Sequence, residues 1–222
     1  MKILILAAME KEINLLINLL KEEKEETIDS LVIRKGKIEN HEIFIAKCGI
    51  GKVNSALYTY KCLQSINPDL VINSGVAGGA GLPVGSVIVA DRVAYHDVWC
   101  GPGTIYGQAD GLPLFMTPDE DVLKIALQQD LTTGLICSGD KFISNVEEID
   151  FIKSKFPEVM AVDMESASIA QTCEIYGTPF AIVRVLSDTP GEGENLAQYK
   201  DFWIKAPEKT FCVLKNIIER IK

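Results

Sequence analysis

Apolar residues along this chain fall into short unbroken runs, separated by stretches with a helical period. KILILA (2–7) is a continuous apolar run of strand length. Met9, Ile13, Leu16, Ile17 and Leu20 then form one stripe, predicting a helix over 9–20. LVIRKGKIENHEIFIAKC alternates about a polar turn near Glu39 and Asn40, the pattern of a hairpin. GIGKVNSALYTYKCLQSI reads as a glycine-led helix, and PDLVINSGVAGG as a strand ending in a glycine-rich loop. VGSVIVADRVAYHDV predicts one bulged strand or two. Further on come a helix over 119–128, a strand in TTGLICSGD, a helix in VEEIDFIKSKF and a short strand running into a helix in VMAVDMESASIAQTCEIYG. PFAIVRVLSD is a strand with a charged end, and Phe211, Leu214, Ile217, Ile218 and Ile221 share one face of a closing helix. Residues 100–119 hold four glycines and three prolines, a long loop of the kind that is functional or interfacial.

Strands alternating with helices define an α/β protein with a mixed, mainly parallel β-sheet flanked by helices on both faces. The 222 residues suit one large domain, or at most two small ones. No repeat, low-complexity segment or linker divides them, so a single domain spanning 1–222 is expected.

In such sheets ligands bind beyond the carboxyl ends of the strands. The six strand ends continue as AMEKE, CGIGK, SGVAGG, GDKFIS, DMES and SD, and four of them carry Asp or Glu. A single acid there is explained by the positive end of a helix dipole. Several acids converging on one rim can instead divide acid and base roles. The glycines point elsewhere than phosphate: SGVAGGAG has neither Walker spacing nor the GxGxxG fingerprint, so close backbone approach to a neighbour or ligand is the simpler reading.

Composition narrows the partners. A net charge of -9 repels nucleic acid and anionic membranes. No apolar stretch approaches membrane-spanning length, and MKILILAAM lacks an export cleavage site, which predicts a cytoplasmic protein. Six cysteines without CxxC spacing read as buried thiols, and two histidines are too few for a His-rich metal site.

AAMEKEI, CGIGKVNSA, NSGVAGG, SGDKFIS, VDMES and RVLSD, in this order and spacing, resemble the purine nucleoside phosphorylase and uridine phosphorylase superfamily. Within it they look like the nucleosidases of 5′-methylthioadenosine and S-adenosylhomocysteine, over nearly the whole chain. The resemblance implies a partly closed, barrel-like sheet and hydrolysis of the bond between adenine and a 5′-thio-substituted ribose, a step in methionine salvage. It implies no metal or cofactor, a small-molecule nucleoside substrate and a homodimer in which the 100–119 loop completes the partner's site. Residue by residue, Asp188 matches the general acid that protonates the five-membered ring of adenine, and Ser187 the residue that orients it. Glu12 matches the base that activates water, leaving Glu10 as first-turn decoration. Glu165 matches the carboxylate that grips the ribose hydroxyls. Arg184 and Ser74 match residues that help hold the water, with charge balance among the acids the alternative for Arg184. Phe142 would stack on adenine, Ile143 would offer backbone hydrogen bonds to its edge, Met164 would pack on the ribose, and Ile50, Met9 and Ala8 would line the sugar side and the thioether pocket.

Phosphorylases of this superfamily bind phosphate with arginines in the first strand–helix loop and before the glycine-rich loop. Here those places hold AAMEKE and Asn73. Water is therefore the expected nucleophile. Futalosine or aminodeoxyfutalosine hydrolysis and purine nucleoside phosphorolysis are the alternatives within the fold, and a catalytically silent sensor the alternative outside enzymes. Departures from the family pattern are Asp163 where many relatives have glutamate, Trp99 and Cys100 before the long loop, and the continuation SDTPGEGEN.

Overall fold

The structure, a computed structural model, describes residues 1–192, 195–205 and 207–222, with the side chains of 204–211 outside the description. Its first strand, β1 (Lys2–Ala7), is apolar from Ile3 onward because both of its faces are covered there. Ile3 and Ile5 enter one layer with Ile72, Val183, Leu214 and Ile217. Leu4 and Leu6 enter the opposite layer with Cys62, Leu63, Ile169 and Ile182.

The chain continues through α1 (Glu10–Ile17), β2 (Lys21–Ile28), β3 (Leu31–Ile38), β4 (His41–Lys47), α2 (Lys52–Ile66), β5 (Leu70–Gly79) and β6 (Val87–Tyr95). After the long loop come α3 (Glu120–Gln128), β7 (Thr132–Ser138), α4 (Val146–Lys155), β8 (Val159–Asp163), α5 (Ser166–Tyr176), β9 (Phe180–Asp188), α6 (Asn195–Lys205) and α7 (Pro207–Ile218). One nine-stranded sheet runs β2-β3-β4-β1-β5-β8-β7-β6-β9, and a further pairing of β5 with β9 closes five of these strands into a barrel. Five strand pairings are parallel and four antiparallel, so the mixed, mainly parallel and partly closed sheet expected from the sequence is found.

Four details differ from the expectation. The first helix ends at Ile17, not Leu20, because the Leu19 and Leu20 amides turn back onto the Leu16 and Ile17 carbonyls and the chain enters β2. β2, KEEKEETI, has no apolar alternation; its antiparallel pairing to β3 is accompanied by ion pairs such as Lys37–Glu22 and Arg34–Glu25 across the ladder. The glycines of VAGG lie inside β5 rather than in a loop, because the sheet is crowded there. A Cβ on Gly75 would stand 2.8 Å from Glu12 Oε1, and one on Gly78 2.7 Å from the Pro190 ring. Helix α6 is additional to the predicted elements. VIVADRVAY forms one strand, with its register against β7 shifting between Ala90 and Arg92.

On the closing helix Leu214, Ile217 and Ile218 are buried, while the Phe211 side chain lies outside the described residues, as do Gly193 and Glu194 of SDTPGEGEN. Cys48, Cys62, Cys137 and Cys173 are buried, whereas Cys100 and Cys212 are exposed. Among the described residues no helix is long and apolar enough to cross a membrane.

Candidate active site

Three strands deliver acids to one cavity. β1 runs out at Ala7, and Met9 caps α1 in extended geometry. Glu12 is the third residue of that helix, so its side chain folds back over the helix start. Its Oε2 accepts from the Met9 N–H at 2.9 Å, and its Oε1 accepts from the Val76 N–H of β5 at 3.2 Å. Gly75 leaves the room for that carboxylate. Glu12 is 2 % exposed. Burial raises its pKa, against the Met9 N–H, the Arg184 charge and the Val76 N–H. Glu10, two residues earlier, is exposed and reaches Lys47 at 3.4 Å on the surface.

β8 ends at Asp163, and Glu165 begins α5 as its N-cap residue. Glu165 Oε1 accepts from the Gly51 N–H at 2.9 Å, tying it to the start of α2. Burial, then the negative charge of Asp163, push its carboxyl up to about 7. β9 ends in Ser187 and Asp188. Asp188 Oδ1 accepts from the Ser187 hydroxyl at 2.7 Å, and its Oδ2 from the Asn195 amide at 3.3 Å. Burial raises the Asp188 pKa, with the Ser187 and Asn195 hydrogen bonds opposing.

Ala8, Met9, Glu12, Ile50, Phe142, Met164, Glu165, Ser187 and Asp188 all line this cavity. Ile143 lines an adjoining pocket with Phe142 and Asp188. Ser74 is buried within β5 and lines neither. Arg184, also outside both linings, is 2 % exposed and is held from every side. Its Nε donates to Asp163 Oδ2 at 2.8 Å, Nη1 to the carbonyls of Asn73 and Val183, and Nη2 to Asn73 Oδ1 and Ser166 Oγ. All five guanidinium N–H groups thus meet protein acceptors.

Several contributors are additional to the site residues expected from the sequence. Asp163 accepts from Arg184, from Ser138 Oγ and from the Ser166 backbone and hydroxyl, so the shorter acid ties β7, β9 and α5 together. Asn195 and Tyr199 come from the additional helix α6. Tyr199 lines the cavity, donates to Met9 Sδ at 3.5 Å, accepts from Lys11 Nζ at 3.0 Å and packs edge-on against Phe142. Lys11 also lies 3.7 Å over the Trp203 ring. Only the polar ending of SDTPGEGEN hinted at Asn195. Among the described residues no cluster of His, Cys, Asp and Glu is arranged to hold a metal ion.

A buried carboxyl with raised pKa at one side of a cavity, and a second buried carboxyl fixed by backbone amides at another, can give a proton to a leaving group and take one from water.

A sheet closed in this way, with its acids at the strand ends, belongs with a known class of proteins: the chain is a member of the phosphorylase superfamily, whose family model matches residues 2–219. The similarity sharpens among individual relatives. The 5′-methylthioadenosine/S-adenosylhomocysteine nucleosidase of Bacillus pumilus is 40% identical over 230 residues, covering 98% of both chains. The solved S-adenosylhomocysteine nucleosidase of Streptococcus pyogenes, in complex with 5-methylthiotubericidin, has a TM-score of 0.94 at 35% identity, covering 100% of this chain and 98% of that one. A futalosine hydrolase mutant of Helicobacter pylori has a TM-score of 0.90 at 30% identity, covering 99% of each chain.

Proposed function

We propose that this chain hydrolyses the N-glycosidic bond of 5′-methylthioadenosine and S-adenosylhomocysteine, with water as nucleophile, in the cytoplasm. The bond from the sugar's anomeric carbon to adenine breaks, and its electron pair leaves with the base. Asp188 delivers a proton to the five-membered ring, and burial raises its pKa, the direction that favours the protonated form. Water attacks the anomeric carbon and gives its proton to Glu12. Glu165 holds the ribose hydroxyls, and its negative charge, when ionised, favours a cationic transition state. Phe142 and Ile143 bound the base, and Met164, Ile50, Met9 and Ala8 bound the sugar and the thioether. Ser187 orients Asp188. Ser74 and Arg184 act from behind the cavity wall, Arg184 by balancing the charge of Asp163 and Glu12.

The choice of water rests on charge. Glu12 is buried at the cavity, and the nearby guanidinium has no N–H left for a phosphate. Two unit negative charges about 4 Å apart repel by about 4 kcal/mol at an effective dielectric of about 20. A phosphate dianion beside an ionised Glu12 meets at least that cost.

Adenine release from methylthioadenosine, adenosylhomocysteine and aminodeoxyfutalosine, each with and without added phosphate, tests the proposal. Turnover of the two thioethers is expected without phosphate and at the same rate with it. Strict dependence on phosphate overturns the nucleophile, and turnover of the futalosine-type substrate alone overturns the substrate. We further read residues 1–222 as one domain, supported by the single continuous sheet, and the active unit as a homodimer, supported by Val53, Leu57, Tyr60 and Tyr176 lying exposed on the packed pair α2 and α5.

A further inference from the structure

The Asn195 side chain, at the start of α6, is 6 % exposed and reaches two residues that line the pocket beside Phe142, Ile143 and Asp188. Its Nδ2 donates to the Ile143 carbonyl at 3.2 Å and to Asp188 Oδ2 at 3.3 Å. The Ile143 carbonyl can only accept, which fixes the nitrogen rather than the oxygen of the amide at this point. One primary-amide nitrogen therefore bridges the two oxygens that bound the base pocket, with one hydrogen for each. Adenine presents the same chemistry along one edge: a 6-amino nitrogen with two hydrogens, beside the ring nitrogen that takes the proton from Asp188.

We propose that the Asn195 carboxamide is an internal competitor for the base edge, occupying the place of a purine 6-amino group at the Ile143 carbonyl and Asp188 Oδ2, and that 6-aminopurines bind by exchanging with it. This rests on the base-pocket reading above. The exchange conserves hydrogen bonds: two N–H donors leave the two acceptors as two others arrive. The buried acceptors are thereby never left unpaired, which would be costly. Affinity for a 6-aminopurine is correspondingly lower than its contacts alone would give, and release of adenine is assisted by the returning side chain.

The test is calorimetric binding of adenine and of unsubstituted purine to the whole protein and to Asn195→Ala, with Asn195→Val as a second variant should the alanine loosen α6. Removing the competitor is expected to tighten adenine binding about three- to tenfold, the range for losing one or two neutral hydrogen bonds from the purine-free side of the equilibrium. Purine has no amino group to contest the position, so its affinity is expected to stay within about twofold, well under the value of one hydrogen bond. Weaker or unchanged adenine binding in both variants overturns the proposal and leaves Asn195 as a positioning residue for Asp188. Equal tightening of both ligands also overturns it, since that reports only added space. A wild-type protein whose hydrolysis of methylthioadenosine neither adenine nor purine inhibits overturns the base-pocket reading itself, a failure visible before any variant is made.

Discussion

Glu10 and Glu12 are two positions apart and differ in almost every physical respect. Glu10 lies in solvent against Lys47, where a screened ion pair contributes little. Glu12 is buried with its oxygens on the Met9 and Val76 amides. Glu12→Gln is expected to lower turnover by about 10²- to 10⁴-fold, the usual value of a general base, and Asp188→Asn to do the same on the acid side. Glu10→Gln is expected to stay within about twofold of wild type, the effect of a surface charge alone. Adenine release, with circular dichroism to verify the fold, measures all three, and the reverse pattern for the two glutamates would overturn the assignment. Burial raises the pKa of both Glu12 and Asp188, so each carboxyl holds its proton to a higher pH than a carboxyl in water does. Glu165 carries a second consequence, for stability. Its pKa is raised from 4.5 to about 7 in the folded protein, so across that window the folded protein holds a proton that the unfolded chain has lost. That contribution is complete below pH 4.5 and disappears as pH rises through about 7. Thermal unfolding is expected to show a melting temperature that declines over this interval, and Glu165→Gln is expected to flatten the decline.

At the scale of elements, legibility followed burial. Strands such as β1 and β9, covered on both faces, were plain as apolar runs, and their ends led directly to Glu12 and Asp188. β2 was invisible because its residues face solvent and its cohesion is the β3 ladder with charges across it. Helix α6 was missed because its role is to close over the cavity rather than to bury a stripe in the core, and with it went Asn195 and Tyr199. Arg184 kept two readings in the sequence because its partners Asn73, Asp163 and Ser166 lie on other elements. The Arg184–Asp163 pair, with both side chains 2 % exposed, joins β9 to β8 and α5. Asp163→Asn leaves a buried guanidinium without its counter-charge, and about 3–5 kcal/mol of stability is expected to be lost in urea unfolding. A change under about 1 kcal/mol would mean that the pair is worth no more than one exposed to solvent.

For the molecule as a whole, barrel closure matters most. β8 and β9 both pair with β5, so the strand that leads into Glu165 and the strand that ends at Asp188 are held by one shared neighbour. Sequence periodicity could propose such strands, but not the β5–β9 pairing that closes them, which depends on contacts distant in the chain. Sedimentation at assay concentrations is expected to give a dimer; a fully active monomer would contradict the proposed active unit. The saturated guanidinium of Arg184 also bears on how one chemistry can evolve into another. Removing the charge of Glu12 would abolish a repulsion but supply no donor, because Arg184 is already committed to Asp163, Asn73, Val183 and Ser166. A lineage moving from water to phosphate must therefore acquire a new cation as well as lose an acid, and each change alone leaves a site fitted to neither nucleophile.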